Sequence, residues 1–446
     1  MYNRYVQRNM KHEYTYTEGG EGKDGLHILT IVSPEDDVVR LHLTSNLSLS
    51  GKDSLFVQFF SDMLERGSRM YTKDAYEEAL ETLGAQVAID ALDASLHIEM
   101  TCRKSVVEDV VSILVATLSR PVFLPKEIEK LKKEYVQHLH EEKDNSRALS
   151  YGMFARHIYS ENEVGYVPTL AVRTAQLKKI TQKTLRDMHT LFVSGVWHLS
   201  VCADSSVFSK VVPQLSALHV STVRAQKTAP VATLLPQKEE FLLVPEKQNI
   251  EFFMGNRLPL TLASEDFLAF SFGIDVLGKR GGFAGRLMST VREKEGLTYS
   301  IYAWIQGVTT RRSGHWQIFT FFTPKDAWRG ITSTMREVTQ LIEKGVSEAD
   351  VKRFKELLTN QFQLAHESKA STLALYHAAA VGGRSPEDVA TYPTRIQKLT
   401  KKEINAALAT YLKPDAIVIT GAGATGTMGD RPVGVASLKK GINVRQ

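Results

Sequence analysis

The chain has 446 residues and a formal net charge of +5, with 43% hydrophobic and 24% charged residues. This is the make-up of an ordinary globular chain with room for more than one core, and it excludes a disordered, fibrous or disulfide-built protein. No dense basic stripe suggests nucleic acid, no run approaches the roughly 18 apolar residues of a membrane span, and the N-terminus lacks the apolar segment of a secretory signal. The cytoplasm is the expected compartment.

After an N-terminal extension (1–24), two strand-like runs open the first half, "GLHILTIVS" (25–33) and "VVRLHLTSN" (38–46). Helical patterns follow over 52–66 and 72–82. "QVAIDALDASLHIEMTC" (86–102) reads as two strands with a short turn. Three helices are expected over 104–159 and one over 181–192, before the strand "WHLSVCAD" (197–204). Cys102 and Cys202 end two of these apolar runs and read as buried free thiols, not as a disulfide or zinc framework.

The second half repeats the order. "EEFLLVP" (239–245) and "NIEFFMGN" (249–256) are the opening strands, and helices are expected over 263–276 and 283–295. "LTYSIYAWIQG" (297–307) and "GHWQIFTFF" (314–322) form the next strand pair. Long helices span 325–380, another covers 401–412, and "DAIVITGAG" (415–423) closes the unit. Single residues match as well. "LETLGAQV" lies over "REKEGLTY", pairing Gly84 with Gly296, and "KLKKEYVQ" lies over "KRFKELLT", pairing Glu134 with Glu356. Recurrence of both order and spacing points to a duplicated α+β unit. The expected architecture is two homologous domains, 25–221 and 238–446, joined by a linker over 222–237. Each would be a mostly antiparallel or mixed sheet with helices packed on one side. Sheet edges in such units are able to pair with extended peptides, a weak pointer to peptide handling.

Common catalytic signatures are missing. "GKRGGFAGR" (278–286) fits neither phosphate-loop pattern, and there is no G-x-S-x-G. The thirteen histidines form no H-E-x-x-H or H-x-x-E-H, and the dipeptide Glu-His does not occur. "HLHEE" (138–142) places His138 over Glu141 and Glu142, which reads as a solvated helix face with local ion pairs. One segment stands out for a different reason. In "VQFFSDMLERG" (57–67), Gln58, Ser61 and Asp62 interrupt a helix that is otherwise strongly apolar, and polar groups on such a helix need partners.

The duplicated unit, "FFSDMLERGSRMYTKDAYEEALETLGAQVAID" (59–90) and "GGFAGRLMSTVREKEGLTYSIYAW" (281–304) resemble the pitrilysin/insulinase/mitochondrial processing peptidase family, in its short two-domain bacterial branch. The resemblance spans about 25–423. Its most specific piece is Arg292-x-x-x-Gly-Leu-x-Tyr299. Members that cut peptides are inverted zincins: a helix carries His-x-x-Glu-His, and a distal Glu completes the zinc site. The resemblance sets Gln58 at the first His, Ser61 at the catalytic Glu, Asp62 at the second His and His138 at the distal Glu. All four positions have changed. A rebuilt site would offer Asp62 and His138 as ligands, fewer than the three a catalytic zinc takes. No catalytic or metal-binding residue is therefore assigned to this chain.

Arg292 and Tyr299 are kept. The resemblance implies that they contact bound peptide, a role suited to a guanidinium fork and a phenolic donor. It further implies a non-catalytic, substrate-binding subunit of a heterodimeric zinc metallopeptidase acting on peptides or unfolded polypeptides. Such a chain would be inactive alone and need no cofactor of its own, with zinc in a partner bearing His-x-x-Glu-His. The other reading is a proteolytically inactive homodimeric peptide binder or structural scaffold.

Overall fold

The computed structural model describes residues 4–9, 12–17, 25–221, 232–279 and 282–429. Residues 222–231 of the expected linker, part of the N-terminal extension, residues 280–281 of the glycine-rich stretch and the tail from 430 lie outside the described residues. The strands are β1 (Arg4–Asn9), β2 (His12–Thr17), β3 (Leu26–Val32), β4 (Val38–Asn46), β5 (Gln86–Leu92), β6 (Ser95–Arg103), β7 (Val196–Ala203), β8 (Lys238–Leu243), β9 (Ile250–Arg257), β10 (Ile301–Gln306), β11 (His315–Phe322) and β12 (Val418–Gly423). The helices of the first half are α1 (Ser54–Leu64), α2 (Lys73–Thr82), α3 (Val107–Ser119), α4 (Pro125–Glu142), α5 (Ser146–Ile158), α6 (Leu170–Lys179), α7 (Gln182–Val193) and α8 (Ser205–Ser216). Those of the second half are α9 (Phe267–Gly278), α10 (Ala327–Lys344), α11 (Glu348–Glu367), α12 (Lys369–Val381), α13 (Pro386–Ala390), α14 (Tyr392–Lys398) and α15 (Lys401–Tyr411). No helix among the described residues is long and apolar enough to cross a membrane.

Two compact units result. The first comprises Met1–Gln137, Leu170–Lys227 and Gln363–Ala390; the second comprises His138–Thr169, Thr228–Phe362 and Thr391–Gln446. The first holds a sheet of order β1-β2-β3-β7-β4-β6-β5, and the second a sheet of order β10-β11-β9-β12-β8. Read from its other edge, the second sheet runs 8-12-9-11-10, the order of 3-7-4-6-5. In each, the opening strand pairs in parallel with the last, and the other pairings are antiparallel. The repeat read from the sequence is thus a repeat of mixed-sheet topology. Gly84 and Gly296 confirm the register. Each ends its helical segment at a positive φ (+61° and +65°), and a Cβ at either would meet nothing within 4 Å, so the backbone conformation and not space requires glycine.

One face of the first unit's sheet carries the apolar core. Phe60 packs on Phe123 and Phe192, and Phe192 on Trp197, all essentially buried. Thr44, His42, Ser200 and His97 belong to the opposite face, where α12 lies across β4 and β7. α12 comes from the second half of the chain, yet its buried His377 bonds Thr44 Oγ1 and Ser200 Oγ, each at 2.8 Å. The second unit has the counterpart arrangement. α5, from the first half, packs on β9 and β12, and Thr420 Oγ1 donates to the Ser150 carbonyl at 2.9 Å. Each sheet is therefore clasped on its polar face by one helix that the chain supplies from its other half.

Candidate functional site

α1 is buried over most of its circumference through Leu55, Val57, Phe59, Phe60, Met63 and Leu64, and it packs on the edge strand β5. The three polar positions are settled locally. Gln58 is exposed. Ser61 is 1% exposed and donates its hydroxyl to the Gln58 carbonyl at 2.7 Å, the usual way a helical serine satisfies itself. Asp62 accepts the Tyr135 hydroxyl of α4 at 2.6 Å. Burial raises the Asp62 carboxyl above its ordinary range, and the Tyr135 bond and the Arg66 charge only partly offset this. Arg66 in turn pairs with Glu134 at 2.6 Å. The His138 side chain is 74% exposed and pairs with Glu141 at 3.8 Å.

These residues do not fit the zinc of a pitrilysin-type site. The set offers an exposed amide, a hydroxyl that donates to the backbone, a carboxylate already bonded to a phenol, and a solvated imidazole. Among the described residues no group of three His, Cys, Asp or Glu side chains is arranged to hold a metal ion. Sequence reasoning missed Tyr135, although it lies one helical turn before His138. It missed Glu65 as well, the residue after α1. Burial first, then the carboxylates of Asp62, Asp90 and Glu77, push the Glu65 carboxyl up to about 7.

In the second unit the structure brings Arg292 and Tyr299 together. The Arg292 guanidinium sits 5.0 Å from the Tyr299 ring centroid and 5.0 Å from that of Phe283, within reach of a cation–π contact on both sides. Tyr299 and Phe283 are 75% and 65% exposed, unusual for large aromatic side chains. Arg292 has no carboxylate partner among the described residues. It lies on Met288–Lys294, a wide helical turn in which the Glu295 amide reaches back five residues to Thr290 and the Leu297 amide six to Val291. An ordinary α-helix was expected there; the wider turn is a π-type segment, a form often found at functional sites. Phe283 escaped the sequence reading because it sits in a glycine-rich loop with no periodicity.

Comparison with known proteins fits this geometry. Residues 203–358 match the family model described as the peptidase M16 inactive domain. A Helicobacter pylori protein named as the non-peptidase homologue YmxG is 22% identical over 363 residues, covering 80% of this chain and 82% of its own. A Rickettsia felis protein named as an uncharacterised zinc protease is 22% identical over 397 residues, covering 84% and 90%. The solved structure of a peptidase M16 inactive domain from Pseudomonas fluorescens superposes with a TM-score of 0.81 at 18% identity, over 94% of this chain and 98% of that one. The resemblance to the pitrilysin/mitochondrial processing peptidase family therefore holds in fold and in a peptidase M16 inactive domain matched over residues 203–358.

Proposed function

We propose that this chain is the non-catalytic, peptide-holding half of a zinc peptidase assembly. Its partner would be a second family member that carries His-x-x-Glu-His and the metal. The observation that supports this reading is a contrast within one chain. Ser61 and Asp62, two of the four positions the resemblance assigns to zinc chemistry, make local hydrogen bonds, while Arg292 stands 5.0 Å from each of two exposed aromatic rings without an ion-pair partner among the described residues. A guanidinium so placed has donors to offer to peptide carbonyls, and the rings offer apolar contact to side chains. The relative named as a non-peptidase homologue is consistent with a chain of this kind that does not cut.

The test is metal content and activity of the purified chain. The expected result is substoichiometric zinc by plasma emission spectroscopy, and no cleavage of an unfolded casein substrate that a chelator suppresses. One zinc per chain together with chelator-sensitive cleavage would show that the chain is a peptidase by itself.

A further inference from the structure

The glycine-rich stretch after α9 is tied down on both sides of Phe283. On the entry side, the Lys279 amide donates to the Asp275 carbonyl at 3.0 Å, and its ammonium pairs with the Asp275 carboxylate at 3.5 Å. The backbone of Lys279 also bridges in parallel to Ala303 of β10. On the exit side, Gly285 lies so close to the end of α9 that a Cβ there would come within 2.6 Å of the Gly278 Cα. The next residue, Arg286, donates to the Asp350 carboxylate and to the Gly345 carbonyl, each at 2.8 Å. Phe283 is presented between these anchors.

Phenylalanine is among the most often buried residues, yet this one is largely in solvent. What its ring meets is a cation, the Arg292 guanidinium at 5.0 Å, and Tyr299 meets the same guanidinium at the same distance. Other arginines of this region are held differently. Arg286 pairs with Asp350, and Arg336 with Glu295. Arg292 is half-buried and has no carboxylate partner among the described residues. The difference matters for what the side chain has left to offer. A carboxylate takes up the N–H groups of a guanidinium, often two at once. An aromatic ring attracts the charge through its quadrupole and leaves N–H groups to a ligand. Rings are thus able to place Arg292 while its hydrogen-bonding capacity stays unspent.

We infer that Phe283 is a positioning residue: its ring, together with that of Tyr299, holds the Arg292 guanidinium in place to receive a bound peptide. In giving Arg292 a peptide to receive, this rests on the peptide-holding reading above.

The experiment separates ring attraction from apolar bulk: Phe283→Leu keeps the bulk and Phe283→Tyr keeps the ring. A fluorescein-labelled decapeptide of unfolded casein is titrated with the full chain and followed by fluorescence anisotropy. Phe283→Leu is expected to weaken binding about two- to fivefold, the scale of an exposed cation–π contact, and Phe283→Tyr to keep the wild-type affinity. In an Arg292→Gln background, which retains a donor but no charge, Phe283→Leu should cost nothing further, because its effect runs through the guanidinium. Wild-type affinity in Phe283→Leu, or the same loss in both backgrounds, would overturn the positioning role and leave peptide holding intact. Failure of the wild type to bind the peptide would overturn peptide holding. The role of Phe283 is then decided without ligand, from the Arg292 Nε–H resonance of ¹⁵N-labelled chain. Movement of that resonance towards its free-arginine position in Phe283→Leu, and not in Phe283→Tyr, supports the role. An unmoved resonance in Phe283→Leu overturns it.

Discussion

In the proposed heterodimer, Arg292→Ala lowers kcat/KM by about 100-fold or more, the cost of removing a positioned donor from a carbonyl that develops charge. The assembly still forms, because the contacts of Arg292 are with Phe283 and Tyr299 of its own unit. Tyr299→Phe keeps the ring against the guanidinium and removes only the hydroxyl, so its cost is smaller, about tenfold for one hydrogen bond. Both variants are measured on the purified complex with a quenched fluorescent peptide, with gel filtration to confirm assembly. Unchanged kinetics in both would remove this pair from substrate contact.

The second large effect falls on the fold. His377→Ala destabilises the first unit by about 2–4 kcal/mol, combining a lost buried side chain with the loss of one hydrogen bond at Thr44 and one at Ser200. Both ring nitrogens of His377 are bonded, to Thr44 and Ser200, and Thr44 also bonds His97 Nδ1 at 3.0 Å. The His42 ring crosses edge-on at 5.4 Å and itself lies 3.7 Å from Glu99. Burial first, then the nearby His42 and His97, push the His377 pKa down to about 3. The unfolded chain takes up this proton near the ordinary histidine value, whereas the folded chain resists it. The contribution is therefore complete above roughly pH 6.5 and is lost progressively as pH falls towards about 3. His315 in the second unit, also driven to about 3 chiefly by burial, adds to the same trend. Urea unfolding at pH 7.5 and pH 5 checks this: the wild type should lose more stability than His377→Gln on acidification. Equal losses would mean that this histidine titrates normally.

Much of the fold was legible because strand and helix periods are strong in this chain. β3 to β7 and β8 to β12 lie within a few residues of their expected positions. The shared strand order follows from a repeat visible in single residues such as Gly84 and Gly296. Other elements were hidden for physical reasons. α8 contains Pro213, which reads as a break. The places of α5 and α12 were not legible, because a pattern of buried positions states that a helix face is covered, not which sheet covers it. The π-type turn carrying Arg292 keeps a helix-like composition, and its wider hydrogen bonding leaves no mark in the residue pattern. At the degenerate helix, the departure of Gln58, Ser61 and Asp62 from His-x-x-Glu-His was legible once the resemblance set the register. Their present partners were not, since the Tyr135 contact with Asp62 depends on how α4 crosses α1.

The most direct measurement is affinity purification of the tagged chain from its source cells, with mass spectrometry and stoichiometry of what accompanies it. The expected result is one partner of similar length, in a one-to-one complex, that bears His-x-x-Glu-His and carries the zinc. Recovery as a homodimer, or within a larger assembly that contains no such partner, would contradict a peptidase-subunit role and favour a scaffold.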